Sequence, residues 1–181
     1  MENVVLPPGS RRASACSFRS SAPKDRKFGS RASRCMNTSN FLDAPCRPNV
    51  WLAAFWERHE HADLARTWFD RSADGRVLHC RFTQLTVLRL LTTAAVMGGD
   101  VQTMRGAWEI WDKIASDDRV GFLPEQDGLE PRLRMHTHLA SASPKVWADA
   151  YLLAFAEACG LTLVTFDRAL GRRAPDGLVI R

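Results

Sequence analysis

The segment from Ser143 to Asp167 places an almost wholly apolar helix directly before an almost wholly apolar strand. Ser143 is typical of a helix N-cap, and Pro144 is typical of the first helical position. Gly160 is typical of the residue just after a helix, so the sequence predicts a helix over residues 144–159. The sequence LTLVTF that follows has the length and composition of a buried strand. A buried helix before a buried strand is typical of folds in which helices cover a parallel sheet.

Strands and helices alternate along the remainder of the chain from about residue 40. Hydrophobic spacing separates the two types of element, and strands separated by helices predict an α/β three-layer sandwich with a mostly parallel central sheet. The predicted strands are 39–43, 76–80, 119–123, 161–166 and 177–181. The predicted helices are 49–59, 61–72, 83–93 from a Thr cap, 100–116 after a GGD cap, 128–140 and 144–159. Five tryptophans at helical spacing are expected in the core: Trp51, Trp56, Trp108, Trp111 and Trp147.

The first 35 residues differ from the others in charge. They contain eight Lys and Arg against two acids, a net charge of +6, whereas the remaining 146 residues have a net charge of −1. The basic pI of 9.3 therefore describes this leader and indicates no nucleic-acid footprint on the domain. Because residues 1–35 are rich in Ser, Arg and Pro without apolar periodicity, we expect a disordered leader, with translation starting at Met36 and residues 36–181 forming one domain.

Composition also limits the class of protein. An apolar content of 45% and a charged content of 25% are typical of a soluble globular protein. No apolar run approaches the roughly 18 residues that a membrane-spanning helix needs. The five cysteines form no CxxC pair and lie at no zinc-binding spacing, which favours reduced thiols in a cytoplasmic protein without a membrane partner.

Three acids lie at equivalent places in the predicted elements. Asp149 belongs to the first turns of the apolar helix, Asp167 follows the strand after it, and Asp43 ends the first predicted strand. A lone buried carboxylate must be paired, protonated or bound to a metal. Since ligands bind outside the carboxyl ends of parallel strands, we expect the three acids to converge. Their mutual repulsion and their hard oxygen ligands then predict Mg²⁺ or Mn²⁺.

Each acid alone also has an ordinary structural explanation. Asp149 can pair with Lys145 one turn earlier, and Asp167 can cap the segment that follows it. What favours a metal centre is the similar placement of all three acids. A divalent ion held there could bind a phosphodiester, activate water and stabilise a leaving oxygen.

Four segments of the chain are similar to a known family: NVWLAAFWERHEHADLARTWFD, CRFTQLTVLRLLTT, AVMGGD and SPKVWADAYLLAFAEACGLTLVTFDRAL. They resemble the PIN-domain ribonucleases, and specifically the VapC-type toxins of bacterial toxin–antitoxin pairs. The resemblance covers nearly all of residues 40–181. It implies a PIN fold, Mg²⁺- or Mn²⁺-dependent cleavage of RNA, a cognate antitoxin protein that covers the site, and a homodimer.

The resemblance also implies roles for individual residues. The catalytic, metal-binding acids of the family fall on Asp43, Asp149 and Asp167. Thr165 falls on a supporting hydroxyl beside the last acid. The family follows its first acid with an Asn two positions on, whereas here the supporting Asn49 comes six positions after Asp43, so four extra residues intervene.

A second departure concerns the helix predicted from residue 83. Many family members carry a Glu near its start, where this chain has Gln84, a neutral oxygen ligand that binds cations more weakly. Weaker candidates for RNA contacts are the pair His59 and His61, with Arg81 and Arg168. Each of these four side chains is also explained as an ordinary solvated surface group.

Three functions remain open from the sequence. The leading one is a metal-dependent endoribonuclease toxin. The alternative is a catalytically weakened PIN-fold protein that binds antitoxin or RNA with little cleavage, which the extra residues after Asp43 would favour. A phosphatase with an Asp nucleophile is a third reading, but the D-x-D expected after the first strand is absent.

Overall fold

The computed structural model describes residues 44–72, 77–174 and 177–181 of the 181-residue chain. The predicted leader 1–35 and the predicted strand 39–43 lie outside these residues. The described strands are β1 (Ala44–Pro45), β2 (Val77–His79), β3 (Val120–Phe122), β4 (Val164–Thr165) and β5 (Leu178–Val179). The described helices are α1 (Pro48–Phe55), α2 (Ala62–Arg71), α3 (Arg81–Leu91), α4 (Ala94–Met97), α5 (Met104–Ala115), α6 (Leu129–Thr137), α7 (Val146–Cys159) and α8 (Arg168–Arg173), with a 3₁₀ turn at Gly98–Asp100.

The described strands form two parallel sheets that meet at one point. The first sheet has the order β1-β2-β3 and the second pairs β4 with β5. A parallel bridge between Cys46 and Val164 joins the end of β1 to β4. The resulting sequence of neighbours is β3-β2-β1-β4-β5, with every described pair parallel, which confirms the predicted α/β class. None of the helices described combines the length and the hydropathy that crossing a bilayer requires.

Local sequence explains where the elements beside this junction begin and end. Pro48 opens α1, where its fixed φ suits the first turn and its missing N–H is not needed. Gly160 ends α7 with φ of 64°, a conformation that costs glycine little. Gly171 lets α8 lie against β5, because a Cβ at this position would collide with Val179.

The core consists of apolar clusters beside the sheets. The largest packs α1, α2, α3 and α5 against β1, β2 and β4, and its rings Trp51, Phe55 and Phe69 contact one another in sequence. A second cluster joins α7 to α8 through Leu153 and Leu170. Asp149 on α7 and Asp167 at the start of α8 therefore lie beside elements that are anchored to the core by buried leucines.

Several predicted boundaries shift by one to four residues. The helix predicted over 83–93 begins at Arg81, and the helix predicted over 144–159 begins at Val146, so Ser143 is not its N-cap. The predicted helix 100–116 begins at Met104, because Asp100 closes a 3₁₀ turn instead. Helix ends fray easily, and shifts of one or two residues are ordinary.

The tryptophans divide between the core and the surface. Trp51 and Trp111 are buried as predicted, and Trp56 is partly buried. Trp108 and Trp147 are exposed, which the sequence prediction had wrong. Trp147 stands in the first turn of α7, where the apolar character of the whole helix does not reveal which side faces the neighbouring elements.

Candidate functional site

The junction between the two sheets brings together the residues of the candidate site. The backbone N–H of Arg47 donates to the carbonyl oxygen of Val164 at 3.0 Å, and that of Cys46 donates to Leu78 at 3.4 Å. The carboxyl ends of β1 and β4 therefore lie side by side. This is the edge at which ligands bind in open parallel sheets.

Asp149 and Asp167 share one cation in this junction. The Nη2 atom of Arg47 donates to Oδ1 of Asp149 at 2.5 Å, and its Nη1 atom donates to Oδ2 of Asp167 at 3.2 Å. The side chain of Arg47 is 24% exposed, and the two acids are 23% and 39% exposed. The two carboxylates thus converge on one point. The alternative in which Asp149 pairs with Lys145 is not the pairing found.

The two oxygens of Asp167 have separate partners. Its Oδ1 atom accepts from the backbone N–H groups of Ala169 at 2.8 Å and Leu170 at 3.2 Å, which makes Asp167 the N-cap of α8. Its Oδ2 atom faces Arg47. The bond from the Leu170 backbone, with those from Ala169 and Arg47, holds the pKa of Asp167 below its usual value. The capping role and a ligand role are therefore compatible in one carboxylate.

Thr165 orients Asp167 from the end of β4. Its side chain is fully buried, and its Oγ1 atom accepts from the backbone N–H of Asp167 at 2.9 Å. Its carbonyl oxygen accepts from Ile180 at 3.0 Å, which ties the same residue to the last strand. The turn from strand to helix is therefore fixed by a hydrogen bond at each side of Asp167.

A pocket of about 280 Å³ opens beside this acid pair. Arg47, Asn49, His59, His61 and Asp167 are among its lining residues. The two imidazoles also lie near the ring of Phe166 at the end of β4, with centroid distances of 4.6 Å from His61 and 6.4 Å from His59. Burial and the neighbouring His61 lower the pKa of His59. Imidazole nitrogens at such a position can exchange hydrogen bonds with a ligand in the pocket.

The remaining predicted residues lie in different surroundings. Gln84 is buried, and its Oε1 atom accepts from Arg81 one turn earlier in the same helix. The guanidinium of Arg81 also stacks over the ring of Phe122 at 5.0 Å. Arg168 is exposed at the start of α8, directly after the capping acid. Gln84 and Arg81 are not among the residues that line the acid pocket, whereas Asn49 is.

Asp43, the third predicted acid, lies outside the described residues. β1 is described as Ala44–Pro45, so its carboxyl end comes after Asp43 in the sequence. Three residue steps of extended chain, about 10 Å in length, separate Ala44 from Arg47. Within residues 44–72, 77–174 and 177–181, no group of three or more His, Cys, Asp or Glu side chains is arranged to hold a metal ion. The donor chemistry of Asp149 and Asp167 nevertheless fits a hard divalent ion, because both offer carboxylate oxygens at one point.

Arg47 is the site residue that sequence reasoning missed. It belongs to the stretch between Asp43 and Asn49 in which four extra residues intervene. Two signals could have identified it. Arg47 stands two positions before Asn49, the spacing that the resembled family gives to its first acid, and it precedes a proline, which favours an extended residue at the end of a strand.

Comparison with known proteins gives the same family for most of the chain. The PIN domain family model matches residues 48–174. Ribonuclease VapC41 of Mycobacterium tuberculosis, from the strains CDC 1551 / Oshkosh and ATCC 25618 / H37Rv, is 42% identical over 129 residues. That match covers 68% of this chain and 88% of the relative.

Solved structures share the fold at low sequence identity. Mycobacterium tuberculosis VapC20, described as a sarcin-ricin loop cleaving toxin, superposes with a TM-score of 0.56 at 15% identity, covering 77% of this chain and 100% of that one. VapBC2 from Rickettsia felis, solved with a DNA fragment from its promoter, superposes with a TM-score of 0.53 at 12% identity, covering 76% of this chain and 97% of that one.

Proposed function

Because this chain belongs to the PIN domain family and is similar to VapC ribonucleases, we propose that it is an endoribonuclease toxin that depends on Mg²⁺ or Mn²⁺. The observation that carries the proposal is the convergence of Asp149 and Asp167 on one point beside an open pocket, in a chain 42% identical to a ribonuclease. We assign the domain to residues 36–181. Its reaction is the hydrolysis of an RNA phosphodiester bond.

The metal would be held by Asp149 and Asp167, with Asp43 as the third acid. A bound divalent ion supplies positive charge beside the scissile phosphate and makes a water molecule easier to deprotonate. Thr165 orients Asp167 through its backbone N–H, and Asp167 in turn starts α8. These contacts fix the direction of the Asp167 carboxylate before any substrate binds.

Residues around the pocket would bind and position the RNA. Asn49, His59 and His61 line the pocket and offer hydrogen-bonding groups to a phosphate or a base edge. Arg168 follows Asp167 in the chain and is exposed, so its guanidinium is available to a phosphate from solvent. Gln84 and Arg81, which are bonded to each other on α3, take a more distant supporting role in this proposal.

The proposal includes a protein partner. A solved structural neighbour is a VapBC assembly, and this supports a cognate antitoxin that binds this chain and controls its activity. We also assign a homodimer as its assembly, following the resemblance of the sequence to VapC-type toxins. Co-purification with a candidate antitoxin, followed by measurement of the mass of the complex, tests both assignments.

A second candidate is favoured by one observation. The guanidinium of Arg47 is bonded to both acids that would hold the metal. A chain that keeps this arrangement would bind antitoxin or RNA and cleave poorly. One experiment decides between this candidate and the leading one.

That experiment is RNA cleavage by the full chain with Mn²⁺ or Mg²⁺. We expect cleavage that disappears with EDTA and in the Asp167→Asn variant, which keeps an oxygen to cap α8 but loses the negative charge. Asp118→Asn is a matched control, because Asp118 is an exposed acid outside the pocket lining. Cleavage that survives both EDTA and Asp167→Asn would refute a metal nuclease. Absence of cleavage from the folded wild type would favour the weakened protein.

A further inference from the structure

The positive charge between Asp149 and Asp167 is the guanidinium of Arg47, a side chain of this protein. Arg47 uses both terminal nitrogens, one for Asp149 and the other for Asp167. A guanidinium presents its donors in a fixed planar fork, so the two carboxylates are held at a defined separation by one group. The place where a divalent ion would meet both acids is therefore taken by an internal positive charge.

Backbone hydrogen bonds position Arg47 at the junction of the two sheets. Its N–H is bonded to the carbonyl oxygen of Val164, and the preceding Cys46 forms the bridge between the sheets. The residue is extended, with φ of −61° and ψ of 145°, as expected for a residue that precedes Pro48. The Cα atom of Arg47 is thus fixed at the sheet junction, and only its side chain is free to move.

The electrostatics make Arg47 and a divalent ion alternatives. Two neighbouring carboxylates repel each other unless a positive charge lies between them, and either cation removes that repulsion. If both were present, the guanidinium and the ion would repel each other at short distance. The pocket of about 280 Å³, which Arg47 lines, gives the displaced side chain a space to enter.

We infer that Arg47 is a built-in counter-ion that competes with the divalent metal for Asp149 and Asp167. This inference rests on the proposed function, in which these two acids bind the metal. Arg47 then sets how much free Mg²⁺ or Mn²⁺ is needed before the site is loaded. A purely structural role for the same ion pairs would instead leave metal affinity unchanged when Arg47 is removed.

The test is Mn²⁺ binding to the full chain without RNA, measured by isothermal titration calorimetry and by electron paramagnetic resonance of free Mn²⁺. We compare the wild type with Arg47→Ala and with Arg47→Asp. Since each partly exposed ion pair contributes only modestly, we expect Arg47→Ala to bind Mn²⁺ about tenfold more tightly. Arg47→Asp should bind more tightly still, because it adds a carboxylate at the same strand end.

Arg71→Ala is the control for net charge. Arg71 is exposed at the last position of α2, about 14 Å along that helix from its start at Ala62. Its removal changes the net charge of the protein by the same amount as the removal of Arg47. We expect the affinity of this variant for Mn²⁺ to equal that of the wild type. An equal gain of affinity in Arg71→Ala and Arg47→Ala would overturn the inference.

Thermal unfolding gives a second readout that does not depend on cleavage. In EDTA, Arg47→Ala should melt at a lower temperature than the wild type, because its two acids repel each other without a partner. In saturating Mn²⁺ its gain in melting temperature should exceed that of the wild type, since a ligand that binds only the folded state stabilises it in proportion to the logarithm of its affinity. Equal gains in both proteins would overturn the inference.

The outcomes separate this inference from the proposed function. If the wild type binds Mn²⁺ and cuts RNA but Arg47→Ala binds no more tightly, the inference fails and the function stands. If Arg47→Ala gains Mn²⁺ affinity while the wild type cuts no RNA, the inference holds and the weakened protein is favoured. If neither protein binds Mn²⁺, both the inference and the metal-dependent function fail.

Discussion

At the scale of the residue, Asp167 depends on its neighbour Thr165. The buried hydroxyl of Thr165 accepts the backbone N–H of Asp167 and so helps to direct the carboxylate between the helix start and Arg47. Loss of that acceptor would leave a partly buried N–H without a partner, which costs about 1–3 kcal/mol. The orientation of Asp167 therefore depends on a neighbouring buried hydroxyl as well as on its own contacts.

Thr165→Val tests this dependence. Valine has nearly the same shape but no acceptor, so we expect a loss of about 1–2 kcal/mol in the free energy of unfolding in urea. We also expect weaker Mn²⁺ binding, because Asp167 is no longer held in place. Thr165→Ser keeps the hydroxyl and should retain Mn²⁺ affinity. A Val variant that binds Mn²⁺ as well as the wild type would show that the hydroxyl only stabilises the fold.

Single residues also show what the sequence could and could not predict. Asp149 and Asp167 could be found because charged groups within apolar segments are costly and need a partner. The identity of that partner could not be found, because Arg47 is 102 residues from Asp149 in the chain and sequence gives no distance between them. The contact exists only because β1 and β4 are neighbours, which follows from the whole fold.

At the scale of the element, the start of α5 shows how a cap is chosen. Asp100 is a good capping residue by type, and the sequence predicted a helix from this position. Its carboxylate is instead bonded to Nε1 of Trp56 at 3.0 Å and to Arg58, so it is not available to the helix. Thr103 takes the role, with its Oγ1 atom accepting from Gly106 at 3.1 Å.

Thr103→Ala should therefore destabilise the protein by about 1 kcal/mol, the usual cost of losing an N-cap. Thr103→Ser should keep most of that stability, because serine offers the same acceptor. Urea unfolding followed by tryptophan fluorescence measures both, with buried Trp111 on α5 as a reporter. If Thr103→Ala and wild type unfold at the same urea concentration, the cap at Thr103 contributes nothing.

Element types were easier to predict than element ends. Periodicity placed a helix or strand at most of the longer described elements, since it reflects burial along many residues, whereas the short helices α4 and α8 were not predicted. The ends depend on a single polar side chain and on whether another element has already engaged it, as with Asp100. Exposed Trp147 follows the same logic, because periodicity cannot say where a buried helix emerges from its neighbours.

At the scale of the whole molecule, the parallel sheet was predictable and its junction was not. Alternating strands and helices require parallel crossovers, so the class followed from the order of elements. The pairing of Cys46 with Val164 depends on which strands become neighbours, and strand pairs that are distant in sequence carry no local signal. Asp149 and Asp167 were chosen from the sequence around each of them. Arg47 was missed because its contacts with them depend on this junction.

Burial of His79 among several elements should make the free energy of unfolding depend on pH. It ends β2, is buried, and lies between the rings of Trp51, Trp111 and Phe122 from three other elements. Burial lowers the pKa of His79 to about 4 from the model-peptide value of 6.5. The folded state therefore favours the neutral ring, and the unfolded chain binds a proton first as the pH falls.

The sign of the pH effect follows from that difference. The stabilisation is complete above pH 6.5 and is lost as the pH falls from 6.5 toward 4, because the unfolded state binds more protons in this range. Between pH 7.5 and pH 5 the loss amounts to about 2 kcal/mol, obtained from 1.36 kcal/mol per pKa unit. The ionisation of Asp167, whose pKa is held below its usual value by backbone hydrogen bonds and Arg47, contributes only at still lower pH.

The comparison that isolates His79 is urea unfolding of wild type and His79→Leu at pH 7.5 and pH 5. Leucine has a similar volume and no proton to bind, and Nδ1 of His79 makes no hydrogen bond within the described residues. The replacement also removes the hydrogen bond between His79 and the backbone of Gly121, a loss that is present at both pH values. We expect the drop in unfolding free energy on acidification to be about 2 kcal/mol smaller in the variant. Equal drops in the two proteins would place the pH dependence elsewhere, with His59 at the acid pocket, whose pKa is also lowered by burial, as the next residue to replace.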